Sequence, residues 1–319
     1  MKNFPTKAAV RLLFPFFGLV SLGLLKPGSS FCAGAPDAFI QSGFGARGPG
    51  MAGAYTALAD DVAGIYWNPA GLSRMTSPEF TTMYSPNQLE VHRSFLGAGI
   101  PIRGWGTFAV GFYRLGSNGI ELTNDTQAIG FDDLSNDAYY ISWGSQIGSH
   151  FHWGTTAKRL SFSFGSFDES GWGADLGAQY DWHWLKLGGL FQDAIQTHLT
   201  ANSVGGGTVS DDVPRRIRTG VALTWPEEGR PIQSVWEFPV RITVSMDGVF
   251  PLQGEEQAQA IPGAEIWIAD RVAVRTGYVN QEGPTWGAGV RFTHFTFDYA
   301  ILVDPDLANQ NRFSFSIYF

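Results

Sequence analysis

From about residue 79 to its end, the chain alternates between apolar and polar or small residues, segment after segment. In 238–248, Phe238, Val240, Ile242, Val244 and Met246 fall on one face, and Pro239, Arg241, Thr243, Ser245 and Asp247 on the other. Over Gly171–Trp182 the apolar face is Trp172, Ala174, Leu176, Ala178, Tyr180 and Trp182, opposite Gly171, Gly173, Asp175, Gly177, Gln179 and Asp181. The last segment sets Phe313, Phe315, Ile317 and Phe319 against Arg312, Ser314, Ser316 and Tyr318. Side chains along a strand point alternately to its two faces, so a period of two predicts strands with one apolar and one polar side.

The pattern predicts fourteen such strands, near 79–85, 91–101, 105–115, 137–147, 151–163, 171–181, 184–192, 215–225, 238–248, 262–268, 271–279, 285–292, 294–303 and 311–319. Most approach the ~9–11 residues that a tilted strand needs to cross a bilayer, whereas strands of soluble sheets average about 5–6. Tryptophans recur near segment ends (Trp105, Trp143, Trp153, Trp172, Trp182, Trp184, Trp225, Trp286), where interfacial girdles sit. The connections alternate as well. The third (116–136), seventh (193–214), ninth (249–261) and thirteenth (304–310) are long or polar, while the second, fourth, sixth, tenth and twelfth are tight. The eighth, 226–237, is long where a turn is expected; either it is an excursion or the count slips by two nearby. The expected fold is an all-β, 14-stranded antiparallel transmembrane β-barrel. Asp175, Asp181, Arg241, Asp247, Arg275, Arg291 and Asp298 should face its lumen, because Arg or Lys on the lipid face costs about 2–4 kcal/mol at midplane. Their mixed signs predict lumenal ion pairs.

Composition narrows the setting. Met1–Arg11 is basic and Leu12–Leu25 apolar but shorter than a spanning helix, so residues 1–34 are expected to be a signal peptide cut near 33–35 rather than a retained anchor. Cys32 is the chain's one cysteine, and Phe31 before it does not suit a lipoprotein site. Disulfide scaffolds and cysteine-based metal sites are thereby excluded. The formal charge of −8 argues against a nucleic-acid partner.

Residues 35–78 do not alternate. Met51–Ala59 favours a short helix by propensity, and Asn68-Pro69 has the form of an N-cap followed by proline at the first helical position. A segment this short cannot fold alone, so it is expected to lie inside the barrel of 79–319 as a partly helical plug.

Two stretches carry a family resemblance: Gly45-Ala46-Arg47-Gly48-Pro49-Gly50-Met51-Ala52-Gly53-Ala54-Tyr55-Thr56-Ala57-Leu58-Ala59-Asp60-Asp61, and then Tyr66-Trp67-Asn68-Pro69-Ala70-Gly71-Leu72. Together they resemble the N-terminal signature of PorV/PorQ-like outer-membrane proteins, relatives of the FadL transporters, which also carry an Asn-Pro-Ala motif. The alternating last strand ending in Phe319 resembles the C-terminal signature of bacterial outer-membrane barrels, which the barrel-assembly machinery reads. The resemblance implies an outer-membrane barrel with an N-terminal hatch. In FadL-type members the hatch gates passive diffusion of hydrophobic molecules; in PorV-type members the barrel binds cargo or components of a type IX-like secretion system. A permanently closed structural barrel is the third possibility. The plug candidates are Tyr55, Asp60, Asp61, Tyr66, Trp67, Asn68, Pro69, Ala70, Gly71 and Leu72, with Tyr55, Tyr66 and Trp67 as ligand contacts.

No enzymatic chemistry is signalled, and neither cofactor nor metal is expected. Gly43–Gly48 matches GxGxxG but lacks the βαβ unit of a dinucleotide site, so packing of the plug is the better reading. His150 and His152 would share a strand face with no third ligand nearby. Asp60-Asp61 is expected to cap a helix or meet an arginine. The expected partners are outer-membrane lipid, the barrel-assembly machinery, a hydrophobic small molecule or a secretion-system protein.

Overall fold

The computed structural model describes residues 37–86, 91–124, 127–165, 167–202, 208–226, 239–254, 257–280, 283–303 and 309–319. The expected signal peptide and most of the eighth connection lie outside the described residues. Sixteen strands occur among those described: β1 Glu79–Pro86, β2 Val91–Ile102, β3 Gly106–Asn124, β4 Gln127–Ile147, β5 Phe151–Phe164, β6 Phe167–Trp182, β7 Leu185–Ile195, β8 His198–Asn202, β9 Thr208–Asp212, β10 Arg216–Trp225, β11 Val240–Pro251, β12 Gln259–Ile268, β13 Val272–Val279, β14 Gly283–Arg291, β15 Phe295–Leu302 and β16 Gln310–Tyr318.

All pairings are antiparallel. The sheet closes where β1 meets β16, with Phe80 opposite Ile317 and Thr82 opposite Phe315. Fourteen strands, β1–β7 and β10–β16, form the barrel. The remaining two form a hairpin on the upper end of β6, where Ser170 pairs with Thr200. An extra strand pair therefore sits in the seventh connection. The third connection is also more ordered than expected: most of 116–136 continues β3 and β4 as a paired ribbon, Ile120 opposite Asp132. One wall of the barrel, β3–β6, consequently stands taller than the opposite wall, β13–β16.

Alternation places the faces as periodicity predicts. Ile242, Val244 and Met246 are exposed on the outside of β11, while Thr243, Ser245 and Asp247 are buried inside. Phe108, Val110, Ile141, Leu176, Val274 and Phe297 continue the exposed apolar surface around the barrel. A monomer in water rarely exposes so extensive an apolar belt. A bilayer lacks water to satisfy open backbone groups, and a closed barrel leaves no edge to satisfy.

Inside the barrel lies the segment 37–78. Short helical turns occur at Ala38–Gln41, Arg47–Gly50 and Gly64–Trp67, with a 3-10 helix over Pro69–Arg74. Asn68 caps the last of these: its side chain accepts from Ala70 N, and proline follows at the first position. The expected helix over Met51–Ala59 does not form. Ala52 and Gly53 adopt positive φ (58° and 89°), which no helix continues through, and the stretch resolves into turns.

Candidate functional site

The plug touches the barrel wall through glycines. A Cβ on Gly154 would lie 2.4 Å from Pro69 O, on Gly144 2.5 Å from the same oxygen, and on Gly188 2.5 Å from Thr56 O. Across the lumen, a Cβ on Gly277 would lie 2.3 Å from the Met51 carbonyl carbon. Backbone meets backbone at these points, so no wall side chain larger than hydrogen fits. Gly43 and Gly48 of the GxGxxG stretch serve a similar purpose within the plug: a Cβ on either would overlap the Trp67 ring, at 2.1 and 2.8 Å.

Most of the plug candidates are buried in contacts with the wall or with the rest of the plug. Asn68 is fully buried, and the two hydrogens of its Nδ2 are shared among Thr56 O, Ala178 O and Gly189 O, tying the plug to β6 and β7. Ala70 and Leu72 are fully buried, Pro69 and Gly71 are buried, and a Cβ on Gly71 would strike Ala59 O at 2.0 Å. Trp67 Nε1 donates to Phe44 O (2.9 Å), and the Arg218 guanidinium lies 5.1 Å from its ring centre. Tyr66 packs edge-on against Trp67 and donates its hydroxyl to Gln41 O.

The lumen has two unlike sectors. On the β10–β16 side, charges hold the plug. Arg47 reaches from the plug to Glu265 (2.9 Å) and to Asp60 (2.6 Å). Arg275 bridges Glu265 (2.6 Å) and Asp298 (2.7 Å). Asp247 Oδ2 accepts from Thr56 N and Thr56 Oγ1 and faces Arg218 at 3.4 Å. Arg312 donates to Ser42 O and Gly43 O. Arg291 lies over the Trp267 ring, 4.3 Å from its centre. Arg241 and Asp181 sit at the lower rim, the end with tight turns, where Arg241 pairs with Asp270 and Asp181 with the plug's Arg74.

On the plug itself, the Tyr55 hydroxyl accepts from Arg47 and lies 3.0 Å from Asp61 and 3.2 Å from Asp60, which share its one hydrogen. Burial alone would raise the Asp60 carboxyl, but Arg47, with Lys186, Arg74 and Arg291 beyond it, holds it below its ordinary value. Burial, and then the charge on Asp60, push the Asp61 carboxyl up to about 6.

The other sector is apolar and aromatic. Phe44 is fully buried and stacks between Phe95 of β2 (4.7 Å between ring centres) and Tyr113 of β3 (4.9 Å), with Tyr66 and the edge of Tyr140 beside it. Phe39, Ile40, Leu115, Leu160, Leu199 and Val213 continue this cluster upward, and Ile65, Val62, Leu72 and Met83 continue it downward. Among the described residues, no wall residue of this cluster comes from β11–β16.

Between the sectors lies a third arrangement. Lys158 of β5 bridges Asp175 (2.8 Å) and Asp193 (2.9 Å). Asp193 reaches inward because β7 bulges there: Leu176 pairs with Phe191 but Ala174 with Ile195, and Asp193 adopts φ 61°. A polar cavity of about 10 Å³ adjoins it, lined by Asp37, Tyr66, Tyr140, Lys158, Asp175 and Arg216. That is room for one water.

Sequence reasoning missed Phe44, Arg47, Glu265 and Asp193. Glu265 was available from alternation with buried Trp267, but Asp193 was not, since the bulge inverts the period. The two histidines do not share a face. His150 is exposed in the β4–β5 turn, while His152 is buried, with Nδ1 2.6 Å from Ser73 Oγ and Nε2 3.6 Å from Asp181. Among the described residues no group of three potential metal ligands occurs.

Comparison with solved structures identifies the architecture. A deltaS2 mutant of the TodX monoaromatic hydrocarbon channel superposes with a TM-score of 0.54 at 15% identity, covering 87% of this chain and 99% of that one. The Ralstonia pickettii toluene transporter TbuX gives 0.56 at 13% identity, over 88% and 100%. The chain has the fold of these barrels. A Pseudomonas aeruginosa FadL homologue shares it (TM-score 0.51, 12% identity, 85% and 97% covered). At such identities the likeness is one of fold. No family model and no curated protein sequence matches the chain.

Proposed function

We propose that this protein is an outer-membrane channel for small hydrophobic molecules, closed at rest by its N-terminal plug. The observation that carries the reading is the apolar column around Phe44. It faces a sector held largely by charges and is occupied by the plug's own side chains. A hydrophobic solute could replace the side chains of Phe39, Ile40 and Phe44 there, at the cost of the neutral hydrogen bonds that Phe39 O and Phe44 O accept from Tyr113 and Trp67. The same exchange against the Arg275–Glu265 sector would leave a charge unpaired, at about 3–5 kcal/mol. The gate is therefore assigned to residues 38–46, above the glycine contacts and beyond the buried Asp37–Arg216 pair, rather than to Asn68–Leu72, which those contacts fix. The shared fold with hydrocarbon channels supports the reading.

The glycine contacts also support a second reading, a permanently closed structural barrel. The PorV-type alternative predicts a protein partner, recoverable by affinity purification. One experiment separates transport from closure. Proteoliposomes holding the full chain are loaded with a hydrophobic fluorescent probe and its transfer is timed. Protein-dependent transfer, accelerated by Phe44→Ala and accompanied by little ion conductance, is the expected outcome. Transfer at the rate of empty liposomes, with the Phe44→Ala variant no faster, rejects a hydrophobic route and leaves the closed barrel.

A further inference from the structure

The outside of the tall wall carries a feature that the lumen does not explain. Outside this wall, no described barrel strand turns a charged side chain outward. On β3–β6 the outward face holds Arg114, Asp137, Arg159 and Asp168. The pairing register sets four outward residues in one row across the strands: Phe112 opposite Tyr139, Tyr139 opposite Arg159, and Arg159 opposite Trp172. Below the row the outward face is apolar or uncharged, with Phe108, Val110, Ile141, Ala157 and Leu176. Above it come Ser161, Ser163, Ser170 and Asp168. The row is thus the upper edge of the apolar belt. On β6, Trp182 and Trp172 bracket that belt, and their spacing matches the roughly 9–11 residues of a membrane-crossing strand.

The two guanidiniums in this patch differ. Arg114 is held by Asp137 through two bonds of 2.7 Å and lies over the Phe112 ring. Arg159 is exposed, and the structure gives it one neighbour of opposite character, the Trp172 ring face 5.9 Å away. Among the described residues it has no carboxylate partner. An arginine at the edge of the hydrocarbon region costs only about 0–1 kcal/mol if its charge meets water or a headgroup. Tyr139 and Trp172 flank it in the row, and its guanidinium is exposed on the outer surface. A guanidinium so placed matches a phosphate, which accepts two parallel N–H bonds.

We propose that Arg159, framed by Tyr139 and Trp172, binds the phosphate of a phosphorylated lipid in the outer leaflet around the barrel. The inference rests on the outer-membrane reading. The arginine donates two hydrogen bonds to the lipid phosphate, the tryptophan and tyrosine flank the headgroup, and the acyl chains lie down the apolar belt beside Ala157 and Leu176. The site fixes the tall wall at a set height in the membrane.

The test uses the full chain in phosphatidylcholine vesicles with and without phosphatidic acid as the phosphorylated probe. Flotation reports insertion, and native mass spectrometry after mild extraction reports retained lipid. The expected result is selective retention of phosphatidic acid, weakened about tenfold by Arg159→Gln, less by Trp172→Ala, and unchanged by Arg103→Gln in the β2–β3 turn. Heat-modified mobility confirms that each variant is folded. Equal retention by Arg159→Gln overturns the site. So does displacement by inorganic phosphate at millimolar levels, which would make the site a generic anion contact. Insertion without any preference for phosphatidic acid overturns the lipid site while leaving the membrane reading intact. Failure to float with any vesicle overturns both.

Discussion

The two sectors of the lumen hold the same plug by different physics. On the β10–β16 side, Arg47, Arg275, Glu265 and Asp298 form a chain of buried ion pairs with fixed partners. On the β1–β5 side, Phe44 lies among Phe95, Tyr113 and Tyr140, where packing is close but any apolar occupant of similar shape would serve. A buried charge cannot change partners cheaply, whereas a buried ring can be exchanged for another ring. One sector anchors the plug; the other can exchange its contents.

The largest expected effect comes from breaking the anchor. Arg275→Ala strips Asp298 of its partner and leaves Glu265 with Arg47 alone. Thermal unfolding of the purified barrel should show a loss of about 3–5 kcal/mol. An intact melting temperature would mean that the charged sector does not hold the plug. Next come the glycine contacts. Gly154→Ala places a methyl against Pro69 O, and a destabilisation of about 1–3 kcal/mol is expected. Gly189, with open space around its Cβ position, should accept alanine almost silently. Equal effects at the two glycines would show that plug and wall are not in backbone contact.

Phe44→Ala sharpens the other half of the comparison. It should cost about 3–5 kcal/mol if the cavity stays empty, and a small aromatic solute should restore much of that in a melting assay. Failure of any aromatic to restore stability would count against an exchangeable sector. The smallest effect concerns pH. The folded Asp61 carboxyl sits at about 6 and the unchanged group at 3.8, so the folded state holds more protons between those values. Stability therefore falls as pH rises from about 4 to about 6, by no more than about 1–2 kcal/mol for this part-buried group. Asp61→Asn should flatten that slope, and an unchanged slope would place the titrating group elsewhere.

Strand positions and faces were legible because period-two alternation is a direct imprint of a wall with unlike sides. Asp247, Arg275 and Asp298 could be placed inward from that rule alone. What alternation could not supply was anything that breaks it. The β8–β9 hairpin lies within a connection, the inward turn of Asp193 follows from a bulge, and the failed helix at Met51–Ala59 follows from left-handed Ala52 and Gly53. The partners of the plug were hidden for another reason. Arg47 and Glu265, or Phe44 and Tyr113, are distant in sequence and meet only when the sheet closes. The wall glycines were visible as composition, but their contact with the plug backbone is a property of the closed lumen.

Hydrogen–deuterium exchange across the plug, with and without a hydrophobic probe, tests the central contrast most directly. The account predicts that adding the probe deprotects peptides within 38–46 while those within 47–61, tied to Glu265, Asp247 and the glycine contacts, stay protected. Deprotection of 47–61 first, or of both together, would contradict it.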